Sequence, residues 1–518
     1  MPPTSAAAAP EARRSGLART SSAISALAAL GVLSGFIVDA ALAGLFGAGA
    51  DTDAFFIAAT IPFAVASVLL ASANQALVPL INSWFKEQPK DIALARVGRL
   101  LGSAVVIVLA VAVVGAIASP VIPKLIAPGS SSQTKQLAAG ISALLFITVV
   151  TRVAAEVFRA LLNARFSFVI PAAMPVVESF SVLAVMLPLA HRMGVTSVAV
   201  GYVVGGFVQL TFIAAVAHHR QLRVRPRLGF RDPEVRRSFR LLVLPLTATG
   251  LNMVARATER FLASFLPAGS ITILNYAWVI VNSLGGAIFF RSVVIALLPR
   301  LSDAKNDERA SARILGDGVR IMGLISLPLT ALVIVLARPL IAFAFQRGAF
   351  TGDAAILLAS VLAIYALQFP LDAFTRVFLS HAYARLDMVT PFKNGVLGVT
   401  LDIGLAVALF LPLGVQGLAL AYVLSSIGNL THAYLAVRRR IHLNLSPLLW
   451  LLGKTVVAST IGGLAASAVG RVLPVSTDIL GRALRLGIPG IVGLATMLVA
   501  LLMMRVRVAA ALRQRRAS

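Results

Sequence analysis

The chain has no cysteine and only six histidines in 518 residues. Disulfides, thiolate nucleophiles and cysteine-bound metals are excluded. His218, His219, His381 and His432 are too scattered to suggest a metal centre. Acid is scarce as well: 20 Asp and Glu stand against 46 Lys and Arg, a net charge of +26. Charged residues are 13% of the chain, against about 25% in soluble domains. Hydrophobic residues reach 58%, too many for a soluble fold with polar faces. They lie in continuous runs, whereas a membrane β-barrel would alternate polar and apolar positions. The fold class is therefore an all-α polytopic membrane protein.

A spanning helix needs about 20 apolar residues. The runs predict about 14 spans, the first near 21–46 and the last near 483–504. In a soluble protein the basic excess would suggest nucleic acid; here it reads as loop charge, with no nucleic acid as partner. Lys86, Lys90, Arg96 and Arg99 fall in an even-numbered connection, and eight arginines crowd 220–240. The odd-numbered turns 47–52 and 266–269 hold no Lys or Arg, although Arg471 and Arg482 run against the trend. Cytoplasmic loops carry the basic excess, so both termini are expected in the cytoplasm. The arginines of 220–240 are expected at anionic lipid headgroups. A stretch resembling the end of a P-loop, Gly453-Lys454-Thr455, has Leu448 at the position of the required earlier glycine and opens a membrane helix.

The sequence repeats at a shift of 220, pairing Gly49 with Gly269, Pro79 with Pro299, Arg165 with Arg385, Gly194 with Gly414 and Tyr202 with Tyr422. Asp39 falls on Glu259 and Glu156 on Arg376. The organisation read from this is a disordered cytoplasmic N-terminus over 1–20, an N-lobe over 21–237 and a C-lobe over 238–440. Helices 13 and 14 and a basic cytoplasmic tail occupy 441–518. Two six-helix lobes in parallel repeat are a transporter plan.

Ionisable groups inside a bilayer cost roughly 2.5–3.5 kcal/mol on insertion scales and tend to face a cavity or a partner. The first span carries Asp39, and the second opens with Asp53. The seventh carries Arg256, Glu259 and Arg260, spaced to share a helix face. They read either as a local ion pair or as a cavity cluster for an anionic head group or a coupling cation. The fourth span has Arg152, Glu156 and Arg159, and the tenth Asp372 and Arg376. Two intrahelical pairs are the plain reading; an ion pair between Glu156 and Arg376 is the sharper one. Arg291 in the eighth span has no acid four residues away and is a candidate for anion contact. Asp402 in the eleventh span could join Glu259 in holding Na⁺ or a proton, and Glu178 in the fifth is a weaker candidate. No catalytic constellation emerges, so the chain is read as moving its cargo and not as an enzyme.

Several stretches are familiar in combination. They are GFIVDAALAGLFGAGADTDAFFIAATIPF (Gly35–Phe63), LLNARFSFVIPAAMPV (Leu161–Val176), ERFLASFLPAGSITILNYA (Glu259–Ala277), LIAFAFQRGAFTGDAA (Leu340–Ala355) and ARLDMVTPFKNGV (Ala384–Val396). Together they resemble the MurJ/MviN family of lipid II flippases, within the multidrug/oligosaccharidyl-lipid/polysaccharide exporter superfamily. The resemblance covers about residues 20–440. It implies a multi-pass protein of the bacterial inner membrane. Such a protein flips a polyprenyl-pyrophosphate-linked saccharide by alternating access, amid membrane lipids and cell-wall synthesis proteins, with no organic cofactor. A family Na⁺ site would match Glu259 and Asp402, but its next positions fall on Ala406 and Tyr422. Family cavity arginines fall on Val32, Val38, Ala66 and Val279. Arg256, Arg260 or Arg291 would then have to replace them, with Asp39, Asp53, Arg152 and Arg376 as further cavity candidates. Alternative readings are a flippase for another lipid-linked glycan, a cation-coupled small-molecule exporter of the same superfamily, and a non-transporting scaffold.

Overall fold

A computed structural model describes residues 9–444, 446–474 and 478–506; side chains are described throughout these except at 9–22, 24, 68–75, 241–252, 286–289, 291 and 292. Among the described residues the regular structure is helical. The first half comprises α1 (Ala9–Phe46), α2 (Ala50–Glu87), α3 (Lys90–Ala118), the short α4 (Ile122–Ile126), α5 (Ser132–Ala164), α6 (Val169–Met193) and α7 (Thr196–His219). There follow α8 (Pro233–Ala263), α9 (Ser270–Val281), α10 (Arg291–Asp303), α11 (Glu308–Ala344), α12 (Gly352–Ala366) and α13 (Gln368–Ala384). The chain ends with α14 (Val389–Arg438), α15 (Ser446–Val472) and α16 (Ile479–Met503). Helix α1 reaches back to Ala9, so 9–20 is helical where disorder was expected. Ala, Arg and Leu in that stretch are strong helix formers.

Eleven of the described helical segments are long and apolar enough to cross a membrane. The fourteen expected spans differ from that number at three places. The seventh corresponds to α8, of which residues 241–252 are not among those whose side chains are described. The eighth is broken into α9, a wide π-helical segment (Asn282–Phe290) and α10. The eleventh and twelfth run together in α14, interrupted only at Gly414, where φ is +57° and ψ is −135°.

The shift of 220 is visible in the backbone. Gly194 repeats the Gly414 geometry, with φ +54° and ψ −145°. Phe166 and Leu386 both adopt left-handed φ, +59° and +60°. Each sits in the same helix-ending turn, Ser167 N–H to Leu162 C=O and Asp387 N–H to Ala382 C=O, both 2.9 Å. Such 6→1 bonds satisfy the last helical carbonyls. Gln209 donates to the Met174 carbonyl at 3.2 Å, and at the equivalent pair Asn394 donates to the Asn429 carbonyl at 2.7 Å.

The chain resolves into two units. The first comprises Met1–Leu42, Ala54–Leu125 and Ser131–Gly250; the second comprises Ala43–Asp53, Ile126–Ser130 and Leu251–Ser518. In the first, helices pack through small residues: a Cβ on Gly205 would sit 3.2 Å from the Glu178 carbonyl. In the second, α15 and α16 meet at Gly462 and Gly493, where a Cβ on Gly493 would be 3.1 Å from the Gly462 carbonyl. Close backbone approach of this kind substitutes for the missing hydrophobic drive inside a bilayer. The segments Ala43–Asp53 and Ile126–Ser130 join the second unit through Ala349 N–H to Gly44 C=O at 2.9 Å and Gly129 N–H to Ser264 Oγ at 3.0 Å.

Candidate functional site

In the second unit, the last turns of α8 present Arg256, Glu259 and Arg260. Arg256 donates to Glu259 at 3.1 Å, one turn along the same helix. Its guanidinium also lies over the Trp278 ring, 3.5 Å from the centroid. Arg260 reaches Asn275 Oδ1 on α9 at 3.3 Å. Trp278 meets Tyr422 of α14 edge-on at 5.5 Å, and Tyr422 meets Tyr365 of α12 at 5.9 Å. Asp402 of α14 is within electrostatic range of Glu259 and Arg256. Two guanidiniums and two carboxylates are thus gathered against an aromatic wall drawn from α9, α12 and α14. A guanidinium stacked on an aromatic face keeps other N–H donors for a phosphate or carboxylate. Arg376 and Asp372 form an intrahelical pair at 2.8 Å in the same unit.

In the first unit, Arg152 of α5 pairs with Glu178 of α6 at 2.6 Å. It lies over Phe63 at 4.7 Å and Tyr202 at 5.8 Å. Asp39 acts electrostatically on the same tyrosine. Glu156 pairs with Arg159 at 3.3 Å. The two intrahelical pairs of the plain reading thus form, as Glu156–Arg159 and Asp372–Arg376. A carboxylate on the facing helix gives Arg152 a shorter contact and leaves Glu156 to Arg159. Glu156 and Arg376 each keep a partner on their own helix in place of one another.

Asp53 is buried, 5% exposed. Its carboxylate accepts from Gly269 N–H at 2.7 Å, Thr272 N–H at 2.8 Å and the Thr272 hydroxyl at 2.6 Å, so it caps the start of α9. The side chain of Arg291 lies outside the described residues; its backbone opens α10 directly after the π-helical segment. Such wide turns occur frequently at functional sites. No group of three or more acidic or histidine side chains able to hold a metal ion occurs among the described residues.

The sequence model of the family described as lipid II flippase MurJ matches residues 42–477. The chain belongs to that family. A probable lipid II flippase MurJ of Rhizobium meliloti is 26% identical over 446 residues, covering 83% of this chain and 82% of the relative. One from Haemophilus influenzae is 28% identical over 437 residues, 78% and 82% of the two chains. Among solved structures, a lipid II flippase MurJ in an inward closed conformation superposes with a TM-score of 0.76 at 20% identity, covering 93% of this chain and 98% of that one. An inward-facing multidrug resistance MATE transporter of the MOP superfamily gives 0.60 at 17% identity, over 80% and 94%. Both likenesses concern the fold.

For this MurJ-family chain, sequence reasoning named Arg256, Glu259, Arg260 and Asp402, and the fold brings all four together. Nothing local in the sequence names the partner of Glu178, because Arg152 stands 26 residues away on another helix and leaves no periodic signature. Trp278 and Tyr365 carry no such signal, since an aromatic at helical spacing reads as core. Of the positions where family arginines are replaced, Val38 and Ala66 are buried, 2% and 0% exposed.

Proposed function

We propose that this chain flips lipid II, a polyprenyl-pyrophosphate-linked saccharide, across the bacterial inner membrane, and forms or breaks no bond in it. The observation that carries the reading is the family match over residues 42–477. In this reading Arg256 and Arg260 receive the pyrophosphate, as guanidiniums pair bidentately with phosphate oxygens. Trp278, Tyr365 and Tyr422 give the sugar a flat apolar wall. Glu259 and Asp402 take a coupling cation, Na⁺ or H⁺, whose arrival would release Arg256 from Glu259 toward the substrate. Both termini lie in the cytoplasm, in keeping with the basic even-numbered loops. Membrane lipids surround the chain, and cell-wall synthesis proteins deliver and consume its cargo.

The test is reconstitution in vesicles with fluorescent lipid II, followed by quenching of label on the outer leaflet. Flipping by the native chain that falls at least tenfold in Arg256→Ala is expected. Native protein that moves no lipid II yet moves another polyprenyl-linked glycan would transfer the reading to that cargo. Movement of neither, with a properly folded protein, would overturn it.

A further inference from the structure

The eight arginines of 220–240 do not form an undifferentiated charged loop. After α7 the chain turns through Gln221, whose φ is +59°, and then runs without helix to the start of α8. This strap lies directly on α3. Arg227 N–H donates to the Gly98 carbonyl at 3.0 Å, and Gly229 N–H to Ser103 Oγ at 2.9 Å. A Cβ on Gly98 would collide with the Arg225 carbonyl, and one on Gly102 with the Arg227 carbonyl. Glycine four residues apart on one helix face therefore lets an extended backbone seat itself against α3.

An extended chain sends alternate side chains to opposite sides. Arg223, Arg225 and Arg227 line a cleft of about 460 Å³ with Lys90. Its lining holds one acid, Asp91. Among the described residues no ion pair involves any of those four cations. The acids at the strap's end and the start of α8 are engaged elsewhere: Asp232 with Arg96 and Arg99, and Glu234 with Arg237. Pro226 and Leu228 line a different space, a groove of about 850 Å³ walled by Leu101, Val105, Phe158 and Leu210. Arg227 borders both spaces.

We propose that the α7–α8 strap and α3 form a binding site for an anionic phospholipid, its phosphate held by Lys90, Arg223, Arg225 and Arg227 and an acyl chain in the adjoining apolar groove. A cationic cleft opening beside an apolar groove matches an amphiphile with a negative head. A soluble anion would leave the groove unused, and a zwitterionic lipid would return little for four cations. The site stands on the first unit alone and does not rest on the flippase reading.

The test uses the full chain in detergent, with phosphatidylglycerol and phosphatidylcholine as probes and native mass spectrometry as readout. Phosphatidylglycerol should be retained at least tenfold better. That preference should vanish in Arg223→Gln/Arg225→Gln/Arg227→Gln and persist in Arg220→Gln/Arg236→Gln/Arg240→Gln, which removes equal charge outside the cleft. Equal loss in both variants would reduce the effect to unspecific attraction and overturn the site. Glycerophosphoglycerol competing as well as the diacyl lipid would overturn the role of the groove. Retention of undecaprenyl pyrophosphate but not phosphatidylglycerol would overturn the phospholipid assignment. Should the triple variant fail to fold, a phosphatidylglycerol carrying a photoreactive group in its acyl chain keeps the question open to the native protein. Labelling of peptides 101–106 and 210–215 supports the site, and labelling spread over other helices refutes it.

Discussion

The two units hold the same tyrosine, Tyr202 in one and Tyr422 in the other, beside an arginine on an aromatic ring. They use it differently. In the first unit Arg152 is tied to Glu178 on a neighbouring helix at 2.6 Å, so the ion pair fastens α5 to α6. In the second, Arg256 pairs with Glu259 on its own helix at 3.1 Å. Those partners move together, and the pair fastens no helix to another. Its other restraint is the Trp278 ring; with Arg256 26% exposed, that contact lies between the roughly 0.5–1 kcal/mol of exposed cation–π contacts and the roughly 2 kcal/mol of desolvated ones. The first cluster thus ties two helices together, whereas the ion pair of the second stays within one helix. A second acid, Asp402, sits within range of that pair.

Stability should separate the two clusters most. Arg152→Ala leaves Glu178, 17% exposed at its side chain, without its cation. Breaking a buried pair from one side costs about 3–5 kcal/mol. We expect a loss near the lower figure, about 3 kcal/mol, in denaturant unfolding in detergent, largely restored in Arg152→Met/Glu178→Met. Arg256→Ala leaves Glu259 equally 17% exposed, but the pair fastens no second helix, so its loss should be clearly the smaller of the two. Equal losses would erase the distinction. Transport should invert the order. Arg256→Ala should lower lipid II flipping at least tenfold, about 1.4 kcal/mol. Arg152→Met/Glu178→Met should stay within a few-fold of the native chain in the same vesicles.

The second cluster was largely legible in the sequence because its ionisable members stand out in apolar runs and the repeat aligns Glu259 with Asp39. Helix type and the approximate span number followed from run length alone. Three things did not. The Arg152–Glu178 pair depends on how α5 and α6 pack, which local periodicity does not encode. Asp53 looks like a cavity acid, yet Gly269 and Thr272 bring three donors to it, a capping role that needs a turn 216 residues away. The strap over α3 looks like a basic loop until Gly98 and Gly102 are seen to admit its backbone.

A smaller effect should distinguish the acids of the second cluster from Asp39 of the first unit. Asp402→Asn should cut flipping several-fold and remove its dependence on Na⁺ or on an inward proton gradient, measured at constant ionic strength. Asp39→Asn should leave that dependence in place. An unchanged ion response in Asp402→Asn would separate the carboxylates from coupling and leave only the arginines as functional members of the cluster.

The smallest effect lies in the loops, where each unit has one carboxylate held in its charged form. At Asp232 burial works to raise the pKa. The Arg99 hydrogen bond at 2.7 Å, the Glu234 N–H and the Arg96 charge outweigh it and hold the carboxyl below the ordinary carboxylate value. At Asp387 the Thr390 N–H and hydroxyl do most of the lowering, against slight burial, with Arg440 adding its charge. A folded-state pKa below the unfolded value of about 3.9 gives stability that is complete above that value and is lost as pH falls through the folded pKa. Both loops should therefore weaken only below about pH 4. The two should respond differently to salt. Asp232 leans on arginines, so added salt should erode its share, whereas Asp387 leans first on short-range hydrogen bonds from Thr390. Acid unfolding of Asp232→Asn and Asp387→Asn at low and high salt checks this. A salt response confined to the Asp232 side is expected, and the same salt response in both would show that the two loops hold their carboxylates by one means.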